Sequence, residues 1–234
     1  MYKRVVLKIS GESIGRKPDN VGLSEDSLKE VAKEIKSAIE DTSVQLAIVI
    51  GAGNILRGKD VSFIERTTAD YMGMLATVIN AMALQSALES VGLVTRVMSA
   101  IEMPRIAETY IRRRAIRHLE KGRIVIFAAG TGNPYFTTDT TAVLRAIEIH
   151  ADILLKATQV DGVYSEDPKK DPKAKKYKTL TFIEAINRRL KIMDTTAFSL
   201  CMDNNLPVKI FSLYKKGNLL KALRGEEVGT LIEK

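Results

Sequence analysis

The ten residues from Gly130 to Asp139 read GTGNPYFTTD and separate two patterns of different period. The apolar run before them, Ile124–Ala129, predicts a buried strand, and apolar residues recur at helical spacing after them, from Ala142 to Ile147. The segment is therefore predicted to be a strand-to-helix loop. Its glycines allow close approach of the backbone to a ligand, and its threonines and Asp139 lie where the helix exposes free N–H groups. Ligands of α/β sheets bind at such strand ends, so we interpret the segment as a binding loop, with an ordinary capped turn as the alternative.

Predicted strands and helices alternate along the whole chain. Apolar runs indicate strands at residues 4–9, 44–50, 93–98, 124–129, 153–156, 208–211 and 230–232. Helical spacing indicates helices at residues 24–39, 70–91, 104–121, 140–150, 182–190, 196–204 and 219–223. This alternation is typical of an α/β protein with a mainly parallel sheet and helices on both faces. We expect one domain that spans residues 1–234.

The charge balance favours an anionic partner. The 234 residues include 36 Lys and Arg against 28 Asp and Glu, a formal charge of +8, which suits a nucleotide, a phosphate or a nucleic acid. The richest basic stretch, Arg112–Arg117, has helical spacing and no alternating aromatic residues, so a solvated helix face is the favoured interpretation. The single cysteine, Cys201, excludes a disulfide within this chain and a cysteine-rich zinc site, and we expect it in the core.

The helix predicted at residues 70–91 is rich in Met and Ala and apolar around much of its circumference. Burial on two sides would explain this pattern, either at a subunit interface or at the centre of a large domain. No segment approaches the roughly 18 uninterrupted apolar residues that span a bilayer. Because Met1–Arg4 leads straight into a short strand, we expect a soluble, cytoplasmic protein with no membrane partner.

Three predicted strand ends share glycine with polar or charged residues. They are Lys8–Gly11, Gly51–Asn54 followed by Arg57, and Gly130–Asp139. Backbone N–H groups and nearby cations hold phosphates, and the carboxyl ends of parallel strands meet at one edge of a sheet. Together the three segments predict a nucleotide site.

Eight short motifs, in this order, resemble the bacterial uridylate (UMP) kinases of the amino-acid-kinase superfamily. The motifs are KISGE at 8–12, GAGN at 51–54, RG at 57–58, DYMGMLAT at 70–77, GTGNPYFTTD at 130–139, KAT with VDGVY at 156–164, DP at 167–168 and MD at 193–194. The resemblance runs from about residue 3 to residue 233. It implies a three-layer αβα sandwich and transfer of the ATP γ-phosphoryl group to UMP, in pyrimidine nucleotide biosynthesis.

The same resemblance implies roles for individual residues. The catalytic residues would be Lys8, Asp139, Lys156 and Asp194. The ATP contacts would be Lys8, Ile9, Ser10, Gly11, Gly53, Arg57, Thr158, Tyr164 and Asp167. The UMP contacts would be Ala52, Arg57, Asp70, Thr131, Gly132, Asn133, Pro134, Tyr135, Phe136, Thr137 and Thr138. The acceptor site would come mainly from the N-terminal part and the 130–139 loop, and the ATP site mainly from residues 155–234.

Several of these residues have structural alternatives. Asp70 and Asp139 could each cap a helix, Tyr164 could anchor a loop, and Lys156 and Asp194 could be structural. Many family members have glycine where this chain has Ala52; alanine adds strain there if φ is positive and is harmless if only its N–H is used.

The resemblance also implies partners and an assembly. Mg²⁺ is expected to arrive with ATP and to have no dedicated protein ligands. A homohexamer, inhibition by UTP and, in some members, activation by GTP are further expectations. Two other functions remain open at this point: a carboxylate or carbamate kinase of the same fold, and a basic nucleotide-sensing regulator that binds nucleic acid.

Overall fold

The computed structural model describes residues 1–56, 61–166, 168, 171, 173–188, 190 and 192–234. Its strands are β1 (Arg4–Ile9), β2 (Gln45–Ile50), β3 (Thr95–Ser99), β4 (Glu108–Thr109), β5 (Ile124–Ala128), β6 (Ile153–Thr158), β7 (Thr179–Thr181), β8 (Val208–Ser212) and β9 (Thr230–Glu233). Its α-helices are α1 (Glu25–Glu40), α2 (Arg66–Ser90), α3 (Arg112–Glu120), α4 (Thr138–Glu148), α5 (Phe182–Asn187), α6 (Thr195–Asn204) and α7 (Asn218–Leu223), and a 3₁₀ turn, Gly11–Ile14, follows β1. Two predicted site residues, Arg57 and Asp167, lie outside the described residues.

The described strands form one sheet in the order β4-β3-β5-β2-β1-β6-β8-β9-β7. The pairs are parallel except for the antiparallel pair of β8 and β9. Strand β1 lies between β2 and β6, and its register places Lys8 beside Val49 on one side and Lys156 on the other. The predicted α/β class with a mainly parallel sheet is confirmed.

Alternating side chains of the strands build two apolar layers. On β1, Val5, Leu7 and Ile9 pack into the core on the side of α1, α2 and α7, whereas Val6 packs into the core on the side of α3 to α6. The strands are apolar on both faces because both faces are covered, and each buried Leu or Ile contributes roughly 2 kcal/mol. Strand alternation therefore directs Lys8 to the face of α4.

Helix α2 is buried on one side within this chain, not on two as its composition suggested. Its inner face joins the core through Met74, Ala81 and Leu84. The outer face exposes Leu75 and Ile79, each about half accessible to solvent. By length and composition α2 is the one helix of the described residues that could cross a membrane, but its inner face packs as that of a core helix does. The expected subunit interface on its outer face stays a prediction.

The predicted helix at 104–121 is the largest error of the sequence interpretation. Helix α3 begins at Arg112, because residues 108 and 109 pair with the end of β3 as the short strand β4. Helix α2 begins at Arg66, four residues before the predicted start, because Glu65 caps it by accepting from the N–H groups of Thr67 and Thr68. Strand pairing and a Glu cap, which is not among the preferred N-cap residues, are invisible to periodicity.

Candidate functional site

The loops that follow β1 and β2 pack directly against each other. A Cβ atom at Gly11 would lie 2.4 Å from Asn54 Oδ1 and 2.6 Å from the carbonyl oxygen of Gly51, so only glycine fits there. Asn54 is buried in a reciprocal amide pair with Asn80, in which each side chain donates to the other's oxygen, at 3.0 and 2.7 Å. Asn80 also donates to the Gly51 carbonyl oxygen at 2.7 Å. These bonds fix both strand ends against α2 without leaving a buried amide unpaired.

A carboxylate between two lysines lies at the carboxyl ends of β1 and β6. Lys8 Nζ is 3.1 Å from Asp139 Oδ1, and Lys156 Nζ is 2.5 Å from Asp139 Oδ2. The three side chains are between 11% and 16% exposed. Lys156 also donates to the carbonyl oxygen of Ile192. Because Lys8 and Lys156 are register partners on adjacent strands, their like charges are held together and Asp139 compensates them.

Burial and charge act in opposite directions on the pKa values of this cluster. Burial raises the pKa of Asp139, but the charges of Lys8 and Lys156 and their hydrogen bonds outweigh it, so the pKa lies below its usual value. Burial lowers the pKa of Lys156, and the positive charge of Lys8 adds to this against the attraction of Asp139. The cluster therefore keeps an ionised carboxylate at neutral pH, and Lys156 holds its proton less firmly than an exposed lysine.

The start of α4 separates the capping residue from the charged one. Thr137 caps the helix by accepting from the N–H groups of Asp139 and Thr140, which leaves the Asp139 carboxylate to the lysines. The alternative interpretation of Asp139 as the helix cap is therefore wrong.

Asp194 has a capping role at the neighbouring helix. It is the N-cap of α6, accepting from the Ala197 N–H, and it also accepts from the hydroxyls of Thr137 and Thr140. Asp194 thus ties α6 to the start of α4, and its negative charge also favours the charged form of Lys156. Its predicted catalytic role stays a prediction.

A cavity of about 570 Å³ opens between α2 and the loop after β5. Its lining includes six of the predicted UMP contacts: Ala52, Asp70, Thr131, Phe136, Thr137 and Thr138. Apolar walls come from Leu56, Val61 and Met74, and the floor includes Thr77, whose hydroxyl accepts from the Ala129 N–H at 2.9 Å. A concave, mainly apolar site with a few polar groups is the usual form of a small-molecule site.

The remaining predicted acceptor residues form the outer part of the same loop. Gly132 and Tyr135 have positive φ values of 83° and 70°, and the hydroxyl of Thr131 bonds both backbone groups of Asn133 at 3.1 Å. Pro134 precedes Tyr135, whose N–H donates to Asp70 Oδ2 at 2.8 Å. Asp70 lies inside α2 and does not cap it, so its interpretation as an N-cap is wrong.

The predicted ATP contacts after β6 are engaged in bonds within the chain. The Thr158 hydroxyl donates to the Val160 carbonyl oxygen at 2.6 Å, and the Tyr164 hydroxyl donates to Asp161 Oδ1 at 2.6 Å. Asp161 also accepts from Lys176 and Lys215, at 3.2 and 3.1 Å. Tyr164 therefore makes the contact expected of a loop anchor, and its place beside the adenine base stays a prediction.

Predicted contacts from β1 and β2 offer mainly their backbone. Ile9 is fully buried in the core, and its carbonyl oxygen accepts from the Gly51 N–H at 2.9 Å. Ser10 directly follows β1, and Gly53 lies in the loop after β2. Ala52 lies in the cavity wall and is not among the described residues with positive φ, so alanine adds no backbone strain in place of the family's glycine.

Sequence reasoning missed two charged residues that the structure places at these sites. Arg66 lines the cavity, and its Nε donates to Asp70 Oδ2 at 2.9 Å. The available signal was that Arg66 precedes Asp70 by four residues, one helical turn. The helix predicted at residues 70–91 did not include Arg66, so this signal was missed. Asp161 joins Tyr164 to two lysines, and its place within VDGVY was recognised without a role.

A family model for the amino acid kinase family matches residues 3–212. The chain belongs to the amino acid kinase family. Amino acid kinase family members are kinases, so the chain is assigned to the phosphotransferases and its fold prediction is confirmed. It also resembles solved UMP kinases along nearly its whole length, as the motifs predicted.

Three solved structures illustrate this resemblance. UMP kinase from Bacillus anthracis is 40% identical with a TM-score of 0.95, covering 99% of this chain and 96% of that one. UMP kinase from Ureaplasma parvum is 35% identical with a TM-score of 0.92 and full coverage of both chains. Uridylate kinase from Archaeoglobus fulgidus is 30% identical with a TM-score of 0.73, and the match covers 97% of this chain and 99% of that one.

Proposed function

We propose that the protein is a UMP kinase that transfers the γ-phosphoryl group of ATP to UMP, giving UDP and ADP, in pyrimidine nucleotide biosynthesis. The observation that carries this proposal is the buried cluster of Lys8, Asp139 and Lys156 beside a cavity lined by Asp70 and Thr138. The similarity to UMP kinases at 35–40% identity supports UMP as the acceptor.

The chemistry asks the protein mainly for positioning and charge. A phosphate oxygen of UMP attacks the γ-phosphorus, the bond to the bridging oxygen of the β-phosphate breaks, and negative charge spreads over the transferred group. Lys8 and Lys156 supply two positive charges where the acceptor and donor halves of the sheet meet. Asp139 holds both ammonium groups in place, so little reorganisation is needed when charge develops.

The chain's own residues divide into an acceptor side and a donor side. We propose that Thr131 to Thr138 surround the uracil base, that Asp70 accepts from the ribose, and that backbone at Ala52 with Arg57 holds the UMP phosphate. On the donor side, backbone at Ser10, Gly11 and Gly53 and the segment from Thr158 to Asp167 would hold ATP. In this division most acceptor contacts follow β2 and β5 and most donor contacts follow β6, and β1 lies between β2 and β6 in the sheet.

The donor set at Asp139 fits a magnesium ion that is carried by ATP. The described residues contain no group of three or more His, Cys, Asp or Glu side chains placed to hold a metal. Asp139 Oδ1 is buried with no hydrogen-bond partner among the described residues, although Lys8 Nζ lies 3.1 Å away in an ion pair. Because Lys8 already pairs with this oxygen, the carboxylate would act on a hydrated Mg²⁺ through its charge and not as a direct ligand, and the bound ion would neutralise phosphate charge.

The direct test measures ADP release from Mg-ATP with UMP, CMP, dUMP, AMP, carbamate and acidic amino acids offered singly. We expect release that depends on UMP, with UDP as the product. A response to carbamate or an amino acid alone would move the protein to another reaction class of the same family. Folded protein that responds to none of them would reject the kinase proposal in favour of a nucleotide-sensing regulator.

We further propose that the protein works in the cytoplasm as a homohexamer inhibited by UTP, with GTP as an additional candidate effector. The exposed apolar face of α2, which includes Leu75 and Ile79, supports burial of this helix between copies. Light scattering of the purified chain would give the mass of the assembly. Rate measurements with UTP or GTP added would test the effectors separately.

A further inference from the structure

Three contacts join Tyr135 to the start of α2, where Arg66 and Asp70 line the proposed acceptor cavity. The Tyr135 N–H donates to Asp70 Oδ2 at 2.8 Å, and the Tyr135 hydroxyl lies 3.4 Å from Thr67 Oγ1. The guanidinium carbon of Arg66 lies 5.5 Å from the centre of the Tyr135 ring, within cation–π range. The loop after β5 is thus attached to α2 beside this cavity.

Asp70 is held by one of its two oxygens. Arg66 Nε donates to Asp70 Oδ2 at 2.9 Å, and this is the same oxygen that accepts from Tyr135. Oδ1 receives no hydrogen bond from the described residues, and Asp70 lines the cavity. Two donors on one oxygen fix the plane of a carboxylate, so the other oxygen is presented in a defined direction.

Helix stability does not account for Arg66. It is the first residue of α2, where a positive charge opposes the helix dipole by about 0.3–1 kcal/mol. An Arg that precedes its acidic partner by four residues also has the less favourable order for a helical ion pair. Tyr135 adds a second local cost, because its φ of 70° is unusual for a bulky residue. Arg66 thus keeps an unfavourable charge position and Tyr135 an unfavourable backbone conformation while they hold Asp70.

We propose that Arg66 and Tyr135 are positioning residues for Asp70 and that they make the acceptor site selective for ribose over 2′-deoxyribose. They hold Oδ2, so that Oδ1 accepts from the 2′-hydroxyl of the acceptor nucleotide. A deoxynucleotide leaves this oxygen unpaired in the occupied site, which costs binding energy. This inference rests on the proposed function, because it requires a nucleoside monophosphate in the cavity.

The test compares Arg66→Met with Lys29→Met, which removes an exposed ion pair to Glu25 of the same i,i+4 spacing on α1. KM and kcat are measured for UMP, dUMP and ATP, together with the midpoint of urea unfolding. For Arg66→Met we expect KM for UMP to rise about tenfold, the size of one hydrogen bond to a charged group, with dUMP changed less than about twofold. KM for ATP stays unchanged, and the unfolding midpoint stays level or rises. Lys29→Met changes none of the kinetic constants.

A double-mutant cycle with Asp70→Asn separates positioning from direct contact. If Arg66 acts through Asp70, Arg66→Met has little further effect on UMP selectivity in the Asp70→Asn background. Arg66→Lys, which keeps a donor and the charge, should restore part of the selectivity. Arg66→Lys also serves as the test variant if Arg66→Met proves unstable.

Four outcomes would overturn the inference. An equal rise of KM for UMP and dUMP would place Arg66 at the phosphate. Independent effects of Arg66→Met and Asp70→Asn would show that Arg66 does not act through Asp70. Unchanged KM for both UMP and dUMP in Arg66→Met, with an active wild type, would reject the positioning role alone. A wild type with no turnover of UMP would reject the proposed function and this inference together.

Discussion

The structure contains two clusters of the same composition, each with one aspartate between two lysines. Asp139 lies between Lys8 and Lys156, with all three side chains 11–16% exposed. Asp161 lies between Lys176 and Lys215, and these side chains are 29%, 33% and 65% exposed. Both clusters lower the pKa of their aspartate below its usual value, the first mainly by the charges of two lysines against burial and the second mainly through the hydrogen bond from Tyr164.

The difference between the clusters shows that burial, more than charge composition, decides what such a group can do. Water screens the Asp161 cluster, which connects the loop after β6 to the segment after β8. The Asp139 cluster is anchored on two central strands and is shielded from water, so its positive charges act strongly on a nearby phosphate. Three comparisons between the clusters test this contrast, beginning with the largest expected effect.

Removal of one cation from each cluster should affect turnover very differently. Lys8→Met removes a charge from the proposed transfer site, and we expect kcat with UMP to fall by about 10²–10³-fold, as for other preorganised groups that stabilise a transition state. Lys215→Met removes the most exposed lysine of the Asp161 cluster and should leave kcat within about twofold. Steady-state rates and circular dichroism of both variants provide the measurement. A fall of less than about tenfold in Lys8→Met would contradict the contrast.

The stability of the two aspartate variants should differ and should depend on pH in one case. Asp139→Asn leaves two nearly buried lysines without a counter-ion, and we expect a loss of about 3 kcal/mol at pH 7. Asp161→Asn should cost about 0.5 kcal/mol, as for exposed pairs. Because the pKa of Asp139 is lowered by folding, its stabilisation is fully present above the ordinary value of 3.8 and is lost as the pH falls through the lowered value.

Urea unfolding between pH 2 and pH 7 checks this sign. The wild type and Asp139→Asn should differ by a constant amount at neutral pH and converge only at the acid end. A difference that grows as the pH falls would mean that the carboxylate does not stabilise the fold in its charged form.

The smallest expected effect concerns salt and ATP affinity. Asp161 holds the Tyr164 hydroxyl, so Asp161→Asn should raise KM for ATP by about two- to fivefold, the size of one exposed polar contact. High salt should reproduce part of this rise in the wild type, because the Asp161 cluster is screened. Titration of KM for ATP against KCl, with KM for UMP as the control, gives the measurement. If KM for ATP and KM for UMP depended equally on salt, the rise would be due to general charge screening and not to the Asp161 cluster.

The sheet and most helices were predictable because buried strands and helices produce apolar residues at regular spacing in the sequence. Strand β1 has its predicted bounds, and α1 begins one residue after its predicted start at residue 24, with Ser24 as the N-cap. The short strands β4 and β7 were not predictable, since two or three residues have no measurable period and depend on partners distant in sequence. The same reason explains the wrong start of α3.

The site was predictable in part, at the level of strand ends. The glycine-rich loops predicted the edge of the sheet at which a ligand binds. The family resemblance indicated Lys8, Asp139 and Asp70 as site residues. The contact of Asp70 with Tyr135 joins residues 65 positions apart, and local sequence patterns contain no signal for such a pair. Likewise, periodicity could not tell that Thr137, and not Asp139, caps α4.

The register of β1 makes Lys8 a marker of correct strand alignment. Lys8 alternates with Leu7 and Ile9, which enter the opposite apolar layer. If β1 shifted by one residue against β2 and β6, the ammonium group of Lys8 would point into that layer. Leu7 and Ile9 would then point to the opposite face of the sheet. Burial of an unpaired charge costs several kcal/mol, so misaligned pairings of this strand are disfavoured during assembly. A single-residue insertion within β1 should therefore impair folding itself, before any question of turnover arises.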